Sequence, residues 1–183
     1  ENFIDAGDKH VVIVGGGDTG NDCVGTSIRQ GCRSVTQLEM MPEPPAGRAA
    51  DNPWPEWPKV KKTDYGQMEA IEVFGHDPRI YETTVKEVIK DPSGRIKAIK
   101  TVQVAFRDRH PVEIEGTLRE LPCDLLLIAA GFLGAEEYVS QAFDLILDGR
   151  NRVETKEDCC QVRRRKKSDS DKIFAAGDMR RGQ

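Results

Sequence analysis

The feature that most constrains this chain is Gly15-x-Gly17-x-x-Gly20, set between a short apolar run and a helical pattern. The run before it, His10 to Val14, is β-branched and does not alternate, which reads as a strand buried on both faces of a parallel sheet. After the glycines the pattern predicts a helix from Asp18 to Gln30, with Val24 and Ile28 on one face and Gly31 placed to end it in the left-handed conformation. Ser34 to Glu39 reads as the next strand. Strand, glycine turn, helix and strand in about 30 residues make a βαβ unit.

In that context each glycine has its own task. Gly15 permits the tight turn, Gly17 lets the backbone approach a pyrophosphate, and Gly20 lets helix and strand pack closely. Gly16 and Thr19 complete the cradle, whose free N–H groups at the helix start meet phosphate charge. Asp18 suits the helix dipole but would repel a pyrophosphate if it pointed inward, so it is expected to cap the turn and face away. Glu39 closes the second strand, where an acid accepts hydrogen bonds from the adenosine ribose of NAD. A 2′-phosphate would meet like charge there, and Met40 and Met41 supply no arginine. The pattern therefore favours NADH over NADPH, unless Arg48, Lys59, Lys61 or Lys62 folds back from the following loop.

That loop, Met40 to Pro58, holds six prolines together with Trp54 and Trp57, and cannot be a regular helix or central strand. A long structureless loop of this kind is usually functional or an interface. The tryptophans suit stacking on a cofactor or anchoring to a neighbouring domain or subunit. Asp64 to Phe74 reads as a helix with Met68, Ile71 and Phe74 inward. Thr83 to Lys90 and Ile96 to Phe106 flank Asp91-Pro-Ser-Gly94, a hairpin signal, and Val112 to Leu118 reads as another antiparallel strand. Cys123 to Ala130 is a second strand, apolar from Leu125 onward and ending at Gly131, followed by a weak helix at Glu136 to Phe143. Residues 150–171 are polar and irregular, and Lys172 to Ala176 is a last short strand before Gly177-Asp178. The fold expected is α/β: a Rossmann-like three-layer nucleotide-binding domain over residues 8–131 with an inserted antiparallel meander. Residues 132–183 are expected to return to a second, truncated domain.

Composition narrows the remaining classes. A net charge of −4 argues against a general nucleic-acid binder. The longest apolar run, Leu125 to Ala130, is strand-sized, so no membrane span is expected, and the first residues, Glu-Asn-Phe-Ile-Asp, show neither the charged nor the apolar region expected of a signal peptide. A cytoplasmic protein is the expectation. The five cysteines show no zinc or disulfide spacing and read as reduced, mostly buried thiols, with no metal site. His10, His76 and His110 have no triad pattern, so no catalytic side chain is assigned. Arg163 to Lys167 reads as a solvated basic loop. The chain starts without Met and stops at Arg-Arg-Gly-Gln after a loop signal, which reads as a piece of a longer polypeptide.

Two later turns resemble those of flavoproteins with two dinucleotide-binding folds. Ile128-Ala-Ala-Gly131 is similar to the strand that leaves a nucleotide domain, and Ile173-Phe-Ala-Ala-Gly177-Asp178 to the segment whose Asp holds the ribityl chain of FAD. The chain as a whole resembles the small (beta) subunit, or matching region, of glutamate synthase. The resemblance is carried by residues 15–31, by Asn52-Pro-Trp-Pro-Glu-Trp-Pro58, by Asp64-Tyr-Gly66 and by Ala175-Ala-Gly-Asp-Met-Arg-Arg-Gly-Gln183. It implies that NAD(P)H binds here and passes hydride to FAD on an adjoining domain. Electrons would then run through iron–sulfur clusters to the large subunit, where glutamine and 2-oxoglutarate become glutamate. The cluster cysteines and much of the FAD fold would lie outside this chain. A related NAD(P)H:flavin oxidoreductase, similar to the electron-entry half of dihydropyrimidine dehydrogenase, and a non-catalytic nucleotide-binding module are the alternatives.

Overall fold

The computed structural model describes residues 3–108, 110–131, 133–156, 159–165 and 172–182. The chain divides into two compact units, Glu1–Ala130 and Gly131–Gln183.

The first unit is built on a parallel sheet of order β3-β2-β1-β8, comprising β1 (His10–Val14), β2 (Ser34–Leu38), β3 (Arg79–Ile80) and β8 (Leu125–Ile128). β1 lies between β2 and β8, pairing Val12 with Thr36 on one side and with Leu126 on the other. Its alternating side chains feed two cores, because successive residues of a strand point to opposite faces. Val11 and Ile13 pack with Val24, Val35 and Ala70, beneath helices α1 (Asp18–Arg29) and α2 (Tyr65–Phe74). Val12 and Leu38 pack with Ile99 and Cys123, beneath the antiparallel strands β4 (Thr83–Lys90), β5 (Ile96–Arg107), β6 (His110–Glu113) and β7 (Arg119–Pro122). Helices, parallel sheet and antiparallel meander are the three layers.

Several details differ from the sequence reading. α2 turns Gly66, Gln67 and Ala70 inward, while Met68 and Ile71 are 60% and 40% exposed. The reason is backbone proximity: a Cβ on Gly66 would lie 2.3 Å from the carbonyl oxygen of Asn21, so the small face is the one that meets α1. The strand expected over 112–118 is instead two strands, β6 and β7, both paired with β5 and separated by a turn in which Gly116 has φ +77°. β3, a two-residue edge strand parallel to β2, was not anticipated.

The second unit holds α3 (Glu137–Ala142), α4 (Asp178–Arg181) and a small core of Leu145, Val153, Val162 and Ala175. Single bridges, Leu147 to Val153 and Gln161 to Phe174 among them, replace longer ladders. The expected strand at Lys172 to Ala176 is therefore one bridge at Phe174. Cys32 and Cys123 are buried and Cys23 is half-buried, but Cys159 and Cys160 are exposed, which corrects the expectation of mostly buried thiols for this part of the chain. Lys166 and Lys167 of the basic run lie outside the described residues.

Candidate functional site

The glycine turn joins β1 to α1 and its residues differ sharply in what surrounds them. Gly15 has φ +124°, and a Cβ there would sit 2.1 Å from the carbonyl oxygen of Ala129 just beyond β8. Only glycine fits both conditions. Gly20 is buried, and a Cβ would lie 2.1 Å from the Gly15 carbonyl oxygen and 2.6 Å from Gln37 Nε2. Gly17 is the opposite case. Its φ is −79°, any residue could adopt it, and a Cβ would meet nothing within 4 Å. The space over Gly17 is open to a ligand.

Gly17 is also the N-cap of α1, and no side chain caps that helix. The expected capping by Asp18 is thus not found: Asp18 is the first helical residue and is exposed, as is Thr19. With the chain in helical conformation directly after Gly17, the first N–H groups of α1 have no intrahelical acceptor and carry the positive end of the helix dipole.

Glu39 reaches back over this turn. Its Oε2 accepts from the Gly16 N–H at 2.9 Å and its Oε1 from the Met41 N–H at 2.7 Å. A carboxylate holding two amide donors is fixed in place and still has lone pairs for hydroxyl donors. A Cβ on Gly16 would collide with it at 2.1 Å, so glycine at 16 is what admits Glu39.

Behind the turn runs a line of buried amides that sequence reasoning missed. Gln37, fully buried, donates through Nε2 to the Gly15 carbonyl at 2.9 Å and accepts through Oε1 from Gln67 Nε2 at 3.1 Å. Gln67 in turn accepts from the Asp64 N–H at 2.8 Å, closing the capping box that starts α2. Asn21 Oδ1 accepts from the N–H of Gly66 at 2.9 Å and of Gln67 at 3.3 Å. The starts of α1 and α2 and the turn between β1 and α1 are thereby locked as one piece. The Gln67 capping box was the readable signal: a side chain able to accept three residues after an Asp.

In front of the turn lies a cleft of about 340 Å³, which Gly16 and Glu39 share with Met41, Trp57, Arg79 and Tyr81 and with lysines 59, 61 and 62. The loop does fold back, bringing three of the four expected cations to Glu39. Arg48 instead spends its guanidinium on the carbonyls of Asn52 and Glu56. Arg79 makes a two-pronged pair with Asp77, Nε to Oδ1 at 2.9 Å and Nη2 to Oδ2 at 2.8 Å. Burial would raise the Asp77 carboxyl, but hydrogen bonds from Arg79 and the nearby Lys61 outweigh it and hold it at about 2. Lys61 is paired with Glu43 at 2.5 Å and with Asp77 at 3.3 Å. Among the described residues Lys59 and Lys62 have no ion-pair partner; Lys62 Nζ stands 4.4 Å from the Trp57 ring centroid.

In the second unit, Gly177 (φ +58°) precedes α4, whose first residue, the exposed Asp178, lines a separate cavity of about 490 Å³ with Glu136, Arg152, Met179 and Arg181. Gly131 has φ +87° and is exposed. Among the described residues no group of His, Cys, Asp or Glu is arranged to hold a metal, and no helix is long and apolar enough to cross a membrane.

Comparison with known proteins adds the lineage. No family model matches the chain. It is 40% identical over its whole length to "Glutamate synthase [NADH]" of Schizosaccharomyces pombe and 42% identical over 96% of its length to that of Saccharomyces cerevisiae. It is 38% identical over its whole length to "Glutamate synthase [NADPH] small chain" of Bacillus subtilis. The chain is homologous to one segment of glutamate synthase. That segment spans 37% of the Bacillus small chain and 9% and 8% of the fungal glutamate synthases. Solved structures share the fold at lower identity. A bacillithiol disulfide reductase from Bacillus cereus matches with TM-score 0.56 and 18% identity, covering 95% of this chain and 43% of that one. FprA from Mycobacterium tuberculosis, solved in complex with NADPH, matches with TM-score 0.57 and 13% identity, covering 97% and 48%.

Proposed function

We propose that this segment is the NAD(P)H-binding, electron-input part of a glutamate synthase, and that the reduced dinucleotide lies with its pyrophosphate on Gly15–Gly20. One observation carries the reading: Gly17 needs no glycine for its backbone or its neighbours, yet it stands where a phosphate would meet the uncapped start of α1. When bound, the nicotinamide supplies a hydride to a flavin, so no acid, base or nucleophile is required of the protein. The chain's own residues bind and orient. Gly16, Gly17, Asp18, Thr19 and Gly20 form the phosphate cradle, with the N–H groups that follow Gly16 as donors, the Gly16 N–H holding Glu39 instead, and the Asp18 carboxylate turned to solvent. Glu39, steadied by the Gly16 and Met41 amides, accepts from the ribose hydroxyls. Gly131, Gly177 and Asp178 serve the FAD side, as the resemblance to two-fold flavoproteins implies. The large subunit or domain of glutamate synthase is the partner that receives the electrons.

For the cofactor, Glu39 supports NADH: a ribose 2′-phosphate would face a carboxylate already held in place. Lys59 and Lys62, which line the same cleft and have no ion-pair partner among the described residues, support NADPH as the second reading. Calorimetric titration of the chain with each nucleotide decides. NADH is expected to bind more tightly than NADPH, and Glu39→Gln to narrow the gap by about 10-fold, or about 1.4 kcal/mol. Tighter NADPH binding by the unaltered chain would overturn the NADH assignment, and absence of binding by either would overturn the function.

A further inference from the structure

The loop of residues 42–62 holds neither the pyrophosphate nor the ribose, although it is built as a fixed object. Asn52, 3% exposed, is its hub: Nδ2 donates to Glu56 Oε2 at 3.0 Å and to the Trp57 carbonyl at 3.1 Å, while Oδ1 accepts from the Lys59 N–H at 2.9 Å. Arg48 closes the ring of contacts through the carbonyls of Asn52 and Glu56. The clamp fixes the backbone on both sides of Trp57, yet the indole itself is 76% exposed at the wall of the cleft shared by Gly16 and Glu39. A large aromatic ring held in the open, on a backbone that is tied down, is a platform waiting for a flat partner.

The order of groups in the cleft says which partner. With the pyrophosphate on the glycine turn and the ribose at Glu39, the next group outward is the adenine. The other aromatic ring of the cleft, Tyr81, lies 5.7 Å from Lys61 and 5.9 Å from Arg79 and is half-buried. Trp57 has one cation, Lys62, at 4.4 Å and remains largely open. Trp54, 83% exposed on the same loop, does not line the cleft. We propose that Trp57 is the adenine platform of the dinucleotide site, the base stacking on the indole while Lys62 backs the ring. The inference rests on the functional reading, but it assigns a residue and a contact which that reading does not require.

The test uses ADP-ribose, which carries the adenosine and pyrophosphate but no nicotinamide. The chain has two tryptophans, so Trp54→Phe leaves Trp57 as the only indole. Its fluorescence should be quenched as ADP-ribose binds. Trp57→Ala should weaken ADP-ribose about 10-fold, the scale of base–aromatic stacking, with Trp57→Phe recovering most of the loss and Trp54→Ala changing nothing. Unchanged thermal melts would show that the exposed side chains do not act through the fold. ADP-ribose binding that is equal in the wild type and Trp57→Ala would overturn the platform and leave the function standing. A wild-type chain that binds neither ADP-ribose nor NADH would overturn both.

Discussion

Gly17→Ala and Gly20→Ala make one experiment with two opposite outcomes. At position 20 a methyl group would sit 2.1 Å from the Gly15 carbonyl oxygen, over 1 Å inside ordinary contact, and 2.6 Å from Gln37 Nε2. Backbone must move, which costs about 1–3 kcal/mol for an overpacked site. The Gln37 hydrogen bond to the Gly15 carbonyl is lost with it, for about 1 kcal/mol more. A total near 3 kcal/mol, set against an unfolding entropy of about 2.1 cal/mol/K per residue over the first unit, lowers its Tm by about 10 °C. At position 17 the methyl meets nothing within 4 Å and φ is already −79°. The weaker N-cap propensity of alanine and the stiffer unfolded chain nearly offset each other, so the Tm should move by less than about 3 °C. Binding reverses the ranking of effects. A Cβ on the open face of Gly17 keeps the pyrophosphate off the backbone, and NADH affinity should fall at least about 10-fold in a fully folded protein. Calorimetric melts and NADH titrations of the two variants give both readouts. A Gly17→Ala chain that binds NADH as the wild type does would refute the phosphate assignment, and a Gly20→Ala chain with an unshifted Tm would refute the packing argument.

Three further outcomes are expected. Gln37→Leu leaves the Gly15 carbonyl and the Gln67 amide without partners in a buried place, and should lower the urea-unfolding free energy by about 2 kcal/mol. Asp77 has a folded-state pKa held at about 2, below its ordinary value of 3.8, so its contribution is present above that ordinary value and lost as pH falls through the folded one. The stability difference between wild type and Asp77→Asn, about 1 kcal/mol at pH 7 after allowance for solvent screening, should therefore shrink between about pH 4 and pH 2; a constant difference in urea midpoints across that range would count against the pairing. Burial pushes the Cys32 and Cys123 thiols above their usual range, whereas Cys159 and Cys160 are exposed. Ellman's reagent should label the latter pair fast in the native protein and the former only on unfolding, with mass spectrometry identifying each site.

The βαβ core was legible because its signals are local. A β-branched run, a glycine spacing and a helical period stand next to each other in 10–39, and each limits the reading of the next. The inward face of α2 was not legible, because apolarity marked Met68 and Ile71 while close backbone packing selected Gly66, Gln67 and Ala70. Gln37, Gln67 and Asn21 look like surface residues in a sequence; their burial follows from partners 22 to 46 positions away that only the fold brings together. Glu39 stands out in the sequence by its position at the end of β2, but its bond to the Gly16 amide does not, since nothing in the spacing says that the carboxylate turns back. The same holds for the loop: its prolines excluded regular structure, and the Asn52 clamp that replaces it is made of side-chain contacts without a periodic trace.

A reduced pyridine dinucleotide resting on the turn between β1 and α1 must perturb the amides of that turn. Backbone amide NMR of the 20.4 kDa chain during an NADH titration tests it at the atoms concerned. The amide signals of Gly16, Gly17, Asp18, Thr19 and Gly20 should move together and saturate at one dissociation constant, with Glu39 and Met41 following. Shifts confined to other parts of the chain, or no saturable change at the turn, would contradict the account.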